Sequence, residues 1–488
     1  MPPTVMLPPL NTWEQQLAGI VPLSALIEFI DLATKLHIFE LTSTVPMWNW
    51  PVTPTGARLL LSDEDTTDAC CLDRIARSVT LHCIDGRFGD LYPSSTPTTT
   101  RLCVSTKPVG DLVPNNAKTM MDVRGRKQAL EVVHLTSITI GEDDKGPHRR
   151  LRGSRIYRTI TSILGEYSTQ YILISAAGWL CWASLVVFSL LSHLYVATAY
   201  LLLMLPTGLL VRLTHGGKPR RLLDERISPF TRLVVAADSV NGSEWKAFYG
   251  GSYALNSLLN KPLYRNGFVP TTPLTRRLLR LLLRFVIAGQ WILAVGSCAL
   301  QDWNAFVVTF WIIFCAVMSL YVYPPSSSVR DWLRYTCRLA IQRIRADFSS
   351  RRAMLSAIVY LNPDSREGRT EWINPILAPS EDRREWQTAL LGFMDTGVFV
   401  LSFLSLSLTH SLSPFCFPLT CLDFPWTLWL WYRWRSEAGR YTNREPSSPG
   451  SCKNQSLREK YWWKFLDEGV EMGKKIEAIL KDQARKQV

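Results

Sequence analysis

Two long uncharged stretches dominate the pattern of hydrophobic and polar positions along the chain. Residues 171–211 contain no Asp, Glu, Lys or Arg, and residues 285–329 contain one charged side chain, Asp302. A helix needs roughly 20 apolar residues to cross a bilayer, so each stretch is long enough for two spans. Each stretch therefore predicts a transmembrane helical hairpin, with a turn near His193 in the first and near Asp302 in the second.

Cationic side chains crowd the ends of both stretches and are missing from the two turns. The flanking cations are Arg149, Arg150, Arg152, Arg155, Arg158, Arg212, Lys218, Arg220, Arg221, Arg226, Arg276, Arg277, Arg280, Arg284, Arg330, Arg334, Arg338, Arg343 and Arg345. Basic flanks are typical of the cytosolic side of a membrane. We therefore expect an integral protein of an endomembrane or the plasma membrane, with four spans and both termini in the cytosol.

Weaker patterns predict helices and strands outside the spans. The apolar residues 20–41 contain Glu28, Asp31 and Lys35, which are costly at mid-bilayer, so an amphipathic helix packed on protein or lying on a membrane surface is predicted. Further helices are predicted at residues 243–260, from Ser380 onward, and at 462–479. Runs of β-branched residues predict strands at 78–84, 98–105, 134–140 and 232–237.

A basic amphipathic helix is predicted after the second hairpin. Apolar side chains recur at helical spacing between Trp332 and Phe348, while Arg330, Arg334 and Arg338 line another face. Such a helix either lies on an acidic membrane or packs on its own cytosolic domain. The fold class predicted overall is a mainly α membrane protein, with two transmembrane hairpins, cytosolic amphipathic helices and a small mixed α/β N-terminal region.

These patterns divide the chain into segments that differ in charge and hydropathy. In order they are a cytosolic N-terminal region (1–145), a basic segment leading into the membrane (146–170), the first hairpin (171–211), a cytosolic loop (212–284), the second hairpin (285–325), a cytosolic basic and amphipathic helical region (326–395), an anomalous apolar segment (396–432) and a cytosolic tail with an amphipathic helix (433–488).

The anomalous segment contains an uncharged run, residues 397–422, that is long enough to span. Pro414 and Pro418 interrupt a helix there, and one span would carry the basic tail to the far side. Leu, Ser, Phe, Pro and Thr dominate the run, and these residues share pyrimidine-rich codons. We interpret it either as a translated intron or as a membrane contact; a spliced transcript that retains codons 390–430 contradicts the intron.

Composition limits the partners of the protein. The net charge of +13 is concentrated beside the spans, so anionic lipid headgroups explain it more simply than nucleic acid does. Besides lipids, we expect protein partners in the cytosol and no nucleic acid. The eleven cysteines are scattered and imply no disulfide framework.

Motifs of familiar catalytic and metal sites are missing from the sequence. It contains no Gly-x-x-x-x-Gly-Lys loop, no His-Glu-x-x-His helix and no Gly-x-Ser-x-Gly elbow, so it names no catalytic residue and no cofactor. Metal-ligand residue types cluster in the N-terminal region, without paired Cys-x-x-Cys spacing, at Cys70, Cys71, His82, Cys83 and Asp85. Buried core cysteines are the favoured interpretation, and no metal site is predicted.

The candidate binding residues are cations at the predicted membrane surface. Their backbone and side chains suit a lipid headgroup, although a flexible basic exit from the membrane is the favoured explanation of the first three. The predicted headgroup-binding residues are Lys218, Arg220, Arg221, Arg330, Arg334 and Arg338.

Three blocks of sequence resemble a group of uncharacterised multi-pass membrane proteins of filamentous fungi. They are LTHGGKPRRLLDE at 213–225, GSCALQDWNAF at 296–306 and SSRRAML at 349–355. The resemblance covers residues 155–395, with a weaker similarity at 461–479, and implies a helical membrane protein without assigned catalytic residues. We expect a non-enzymatic membrane anchor or accessory factor; the alternative is a small-solute transporter or a membrane-embedded enzyme acting on a lipid-like substrate.

Overall fold

Helices and strands alternate irregularly along the part of the chain that the structure describes. The computed structural model describes residues 6–62, 69–75, 80–117, 126–138, 169–216, 218–222, 230–260, 263–265, 273–322, 324–364, 368–394 and 453–485. The uncharged run 397–422 and the basic flank from Arg149 to Arg158 lie outside these residues.

Helices make up most of the described chain. The α-helices are α1 (Thr12–Ala18), α2 (Val21–Glu28), α3 (Leu32–Thr42), α4 (Pro54–Leu60), α5 (Cys71–Ile75), α6 (Pro97–Ser105), α7 (Thr169–Leu191), α8 (Tyr195–His215), α9 (Ser252–Leu255), α10 (Pro273–Leu300), α11 (Trp303–Val317), α12 (Pro325–Asp331), α13 (Arg351–Leu361), α14 (381–394) and α15 (Lys453–Arg485). Three π-helical segments follow α9, α11 and α12, at Asn256–Asn260, Met318–Val322 and Trp332–Thr336, and a 3-10 helix spans Gly368–Ile373.

The strands form two sheets. They are β1 (His82–Asp85), β2 (Leu91–Pro93), β3 (Asp111–Val113), β4 (Gln128–Ser137), β5 (Arg220–Arg221), β6 (Thr231–Ala237), β7 (Glu244–Gly251), β8 (Tyr264–Arg265) and β9 (Leu339–Phe348). The large sheet has the strand order β2-β1-β6-β7-β4-β9-β3, and β5 pairs with β8. Strands β2, β1, β6 and β7 pair antiparallel in succession.

The prediction of four apolar helices arranged as two hairpins is confirmed. Within the described residues, α7, α8, α10 and α11 with its π-helical extension are each long and apolar enough to cross a membrane. His193 (φ 59°) turns the chain between the first two helices, and Gln301 (φ 52°) turns it between the second two. The carboxylate of Asp302 then accepts the backbone N–H of Asn304 at 2.9 Å and caps α11.

The large sheet collects strands from before, between and after the two hairpins. Strand β4 precedes the first hairpin, β6 and β7 lie between the hairpins, and β9 follows the second. Because β7, β4 and β9 are adjacent in the sheet, both ends of each hairpin return to the same sheet. The predicted N-terminal region supplies only part of this α/β structure.

The first compact unit of the chain comprises Met1–Asp85, Asp90–Leu112 and Glu131–Arg345 and has two hydrophobic cores. One core packs Leu36, Trp48 and Trp50 with residues of all four apolar helices. The other lies against the sheet and includes Cys70, Cys83, Cys103 and Phe248. The predicted cytosolic region 1–145 is therefore divided between the two cores, because its first described sixty residues pack largely among the apolar helices.

The second compact unit comprises Gly86–Gly89, Val113–Leu130 and Ala346–Val488, and helices α13 and α15 pack closely within it. A Cβ atom added to Gly469 of α15 would lie 2.4 Å from Ser356 Cβ and 2.5 Å from Ala353 O. The carboxylate of Glu468 accepts the backbone N–H of Ser349 at 2.8 Å, just before α13 begins. Helices are present at 462–479, within α15, and after Ser380, as predicted; the amphipathic character of the first stays a prediction.

Several predicted local structures are wrong. The predicted helix at 330–348 ends at Thr336, and Leu339–Phe348 is strand β9, so Arg330, Arg334 and Arg338 do not share a helical face. Buried positions in β9 alternate, but the alternation shifts by one residue between Ile341 and Ile344, which imitates helical spacing.

Two of the remaining errors exchange a helix and a strand, and the third concerns the number of helices. Residues 98–105 belong to α6, whose first turn begins with Pro97, a residue suited to that position. The predicted helix from Ser243 is instead strand β7 as far as Gly251 and becomes helical only at Ser252. Residues 20–41 form two helices rather than one, with a bend of 49° when α1 and α2 are taken together against α3.

Gly469→Ala is expected to lower the free energy of unfolding of the second unit by about 1–3 kcal/mol, because the new methyl group overlaps α13. Gly392→Ala in α14 is the matched control, since an added Cβ meets nothing within 4 Å there; it should raise helix stability by up to about 1 kcal/mol. Thermal unfolding of the full chain in detergent, with amide exchange in α13 and α15, measures both. Equal stability of the two variants contradicts the packing.

Candidate functional site

An extended segment, residues 43–53, is inserted among the apolar helices. Trp48 and Trp50 within it are fully buried, and the rings of Trp48 and Trp311 are 5.7 Å apart, edge to face. Helix α8 admits the segment because a Cβ atom on Gly208 would lie 2.2 Å from the carbonyl oxygen of Met47. We call residues 43–53 the inserted segment.

Polar side chains of the apolar helices satisfy the backbone of the inserted segment. Gln290 Oε1 accepts the N–H of Val52 at 3.1 Å, and Gln290 Nε2 donates to Trp50 O at 3.2 Å and to Thr207 Oγ1 at 2.7 Å. Trp291 Nε1 donates to Val52 O at 2.9 Å. Irregular backbone among apolar helices requires such partners, because apolar surroundings offer none.

Lys35 is a buried cation beside the inserted segment. Helix α3 holds its side chain at 7% exposure, where Nζ donates to Asn49 Oδ1 at 3.0 Å. Asn49 Nδ2 in turn donates to Ser319 Oγ at 3.1 Å, in the π-helical segment that extends α11. Such π-helical segments are rare and frequently occur at functional sites.

A small cavity of about 80 Å³ opens beside Lys35. Its walls come from the α2–α3 break, the inserted segment, the end of α11 and the start of α12. Residues lining it include Phe29, Lys35, Asn49, Ser319, Leu320 and Ser328. All of these belong to the first unit. The cavity combines a mostly apolar wall with the cation of Lys35, the carboxylate of Asp31 and several hydroxyl and amide groups, a composition typical of a small-molecule site.

A buried ionic cluster joins helices α3, α5 and α8. Glu40 in the last turn of α3 accepts two hydrogen bonds from Arg74, at 2.9 and 3.0 Å. His215 Nδ1, at the end of α8, lies 3.0 Å from Glu40 Oε1, and its Nε2 lies 3.3 Å from Leu60 O. Because a carboxylate and a carbonyl only accept, both ring nitrogens of His215 must donate for both contacts to be hydrogen bonds.

Two further groups extend this cluster toward α6. Asp73 accepts the backbone N–H of Thr98 at 2.7 Å and the hydroxyl of Thr99 at 2.6 Å, so its carboxylate caps α6 from another part of the chain. The other side of Thr99 Oγ1 faces His37 Nε2 at 3.3 Å, and His37 Nδ1 accepts the backbone N–H of Leu72 at 3.1 Å. Each group is engaged with protein, which favours a structural role.

Burial and pairing set the protonation of this region. Burial alone would lower the pKa of Arg74, but the hydrogen bonds and charge of Glu40 outweigh it and raise the pKa above its ordinary value. Burial raises the pKa of the Cys70 and Cys83 thiols to about 12 in each case. Both cysteines therefore remain thiols at neutral pH and are poor nucleophiles.

The residues of metal-ligand type in the N-terminal region make ordinary core and surface contacts. Cys70, Cys71 and Cys83 are buried, Asp85 pairs with Arg232, and no group of three or more ligand-type side chains could hold a metal ion among the described residues. The interpretation of these cysteines as core residues is consistent with their surroundings.

The predicted headgroup-binding cations occupy two kinds of environment. Arg220 is 1% exposed, and its guanidinium donates to Leu263 O and Ala69 O at 3.2 Å each, so its assignment as a headgroup ligand is wrong. Five cations remain exposed, and headgroup binding stays a prediction for them: Lys218, Arg221, Arg330, Arg334 and Arg338.

Sequence reasoning identified Lys35 only as a costly charge and missed Asn49 and Ser319. The one available signal was a lysine within an apolar run, because its partner Asn49 lies 14 residues further along the chain and Ser319, the partner of Asn49, lies 270 residues beyond that. The chain matches no protein-family model, no curated protein and no solved structure. The resemblance to fungal membrane proteins therefore stays a prediction.

Glu40→Ala is expected to destabilise the protein by about 3–5 kcal/mol, because it leaves the buried guanidinium of Arg74 and the ring of His215 without their carboxylate partner. Asp238→Ala is the matched control: it removes the partner of Arg101 from a pair whose carboxylate is 77% exposed, and should cost less than about 1 kcal/mol. Thermal unfolding of the full chain in detergent compares them. Similar losses in both variants contradict the assigned burial of the cluster.

Proposed function

We propose that this chain is a multi-pass integral membrane protein that holds an α/β sheet against the cytosolic face of an internal or plasma membrane. It acts as a non-enzymatic anchor or accessory factor for proteins or lipids at that surface. The observation that carries the proposal is that both ends of both apolar hairpins return to one sheet. The sheet therefore lies on one side of the helices.

The outer surfaces of the apolar helices support their insertion in lipid. Large apolar side chains on them are exposed, among them Leu180 of α7, Phe285 and Ile292 of α10, and Phe310 of α11. An apolar surface of this extent is unfavourable in water and suits a hydrocarbon environment. Exposed Arg276, Arg277 and Arg284 at the start of α10 suit the boundary with the headgroups.

The ionic cluster supports rigid attachment of the sheet to the helices. Glu40 bridges Arg74, which lies beyond the inserted segment, and His215, which ends α8. Separating these elements would leave buried charged groups without their partners, which is strongly unfavourable. An anchor that transmits position from membrane to domain requires such a joint.

Contacts of the N-terminal segment support a position for the first residues on the non-cytosolic side of the membrane, whereas the sequence predicted the cytosolic side. Trp303 Nε1, at the tip of the second hairpin, donates to Pro8 O at 2.8 Å, while Lys35 lies near the opposite end of α11. Residues 1–34 contain no Lys or Arg, as befits a segment on the far side. We infer that α1, α2 and α3 make a fifth, broken crossing, with the N-terminus at the hairpin tips and the C-terminus in the cytosol.

The second candidate function is the transport of a small solute or chemistry on a lipid-like substrate. The cavity beside Lys35 favours it, because a broken helix and irregular backbone bordering a cavity with a few polar groups are features of membrane transport proteins. The anchor is preferred because the buried ionic cluster outside this cavity, Glu40 with Arg74 and His215, is engaged within the protein.

Glycosylation acceptors carried on flexible linkers should be modified when inserted beside His193 or before Met6, and unmodified when inserted after Arg221. The native acceptor at Asn241 is the internal control and should also stay unmodified. A gel-mobility shift that an endoglycosidase reverses measures each site. Modification after Arg221 contradicts the cytosolic sheet, whereas absence of modification at the N-terminus alone contradicts only the fifth crossing.

A further inference from the structure

Lys35 has the surroundings of a cation whose counter-ion comes from outside the protein. An ammonium group has three N–H donors, and in the described structure Nζ of Lys35 has one hydrogen-bond partner, Asn49 Oδ1. Among the described residues, no carboxylate lies within 4.0 Å of Nζ. Burying a cation without an anion is strongly unfavourable, so an anion in the adjoining cavity would stabilise the fold.

The neighbouring acid, Asp31, acts on the charge of Lys35 only from beyond 4.0 Å and makes no contact with Nζ. Asp31 borders the cavity, but its carboxylate accepts the backbone N–H of Thr34 at 3.1 Å and caps α3. The Asn49 amide already uses its oxygen for Lys35 and its nitrogen for Ser319, whose hydroxyl donates to Cys315 O at 2.8 Å. The polar groups around Lys35 are therefore held in place, while the ammonium group retains donors for a ligand.

We propose that the cavity beside Lys35 binds the acidic head of a single-chain membrane amphiphile, a carboxylate or a phosphate monoester, with its hydrocarbon chain leaving along α2 and the end of α11. This site is independent of the anchoring role. The proposed site gives the protein a lipid-derived ligand in addition to its proposed role as a membrane anchor.

The size of the cavity selects the head of such a ligand. About 10–15 Å³ of cavity volume is enough to hold one water molecule, so about 80 Å³ admits a small oxyanion such as a carboxylate or a phosphate group. The acid would receive charge-assisted hydrogen bonds from Lys35 and lie near the hydroxyl of Ser328, which also borders the cavity.

The surroundings of the cavity provide a path for the chain of the amphiphile. Phe29, at the end of α2, is 54% exposed, and Leu320, beyond α11, is 59% exposed; both line the cavity. The cavity also lies at the sheet end of α11, where the headgroups of a bilayer would be if the helix spans it. An acid bound to Lys35 would thus keep its head at the interface and its chain in the hydrocarbon.

Equilibrium binding of radiolabelled oleate to the full chain, purified in a neutral detergent, tests the site. The wild-type protein should bind one oleate per chain. Oleyl alcohol, which has the same chain and no charge, should compete at least tenfold less well, because it cannot supply the anion. Oleyl phosphate should compete comparably with oleate, since both present a terminal oxyanion.

The variant Lys35→Met removes the charge while keeping the length of the side chain, and should weaken oleate binding at least tenfold. Lys107→Met, at an exposed lysine of the same unit, is the matched control and should bind as the wild type does. A photoactivatable oleate should label residues near Phe29 and Leu320 in the wild-type chain.

Three results would overturn the proposal. These are oleyl alcohol competing as well as oleate, undiminished oleate binding by a folded Lys35→Met variant, and binding of inorganic phosphate or acetate alone without oleate. The last result would assign the cavity to a free anion instead. Each result concerns binding and leaves the membrane topology of the glycosylation experiment untouched, so failure of this site and failure of the anchor are distinguishable.

Discussion

The hydrogen-bonded edge-to-edge pairing of β7, β4 and β9 is the constraint on which the rest of the structure depends. These strands come from between the hairpins, before the first and after the second. Strand backbones need partners, and here each partner lies across an apolar hairpin in the sequence. Pairing therefore requires each hairpin to begin and end at the sheet. This places the ends of both hairpins on the same side of the helices, whether or not a membrane is present.

The interior between the apolar helices also contains polar groups that do not belong to the hairpin backbones. The inserted segment passes among the helices, and Gln290 and Trp291 supply the hydrogen bonds that its extended backbone lacks. Lys35 and Glu40 then lie on the same helix with different surroundings. Glu40 has two side-chain partners, Arg74 and His215, whereas Lys35 has an amide and a cavity. The first supports a structural joint and the second a binding site.

The sequence predicted those features that depend on local composition. The charge-free runs gave the four apolar helices, and short-range signals gave strand β6 and the helix after Ser380. The sheet order could not be predicted, because it depends on pairing between strands separated by whole hairpins. The same reason explains α6: the β-branched residues 98–105 favour a strand locally, but the carboxylate of Asp73, 25 residues earlier, caps them as a helix.

The candidate site was even less accessible to sequence reasoning. Lys35 stood out only because a cation in an apolar run is costly. Its partner Asn49, and the partner of Asn49, Ser319, are ordinary residues that belong to no motif. Arg220 shows the converse error, since its basic neighbours suggested a surface role and the fold buries it against two carbonyl groups. Charge density along the chain indicates which side of a membrane a segment prefers, but it does not indicate which cations the fold encloses.

Crosslinking between β4 and β9 tests the shared sheet most directly. Glu131 of β4 and Arg343 of β9 form an ion pair, so Glu131→Cys and Arg343→Cys should be joined by a short bismaleimide in the membrane-inserted protein. A protease site placed after exposed Asn241 then separates the chain between the hairpins. The account predicts that the two fragments stay together on a denaturing gel in the double variant and separate in either single variant. Separation of the fragments in the double variant would contradict it.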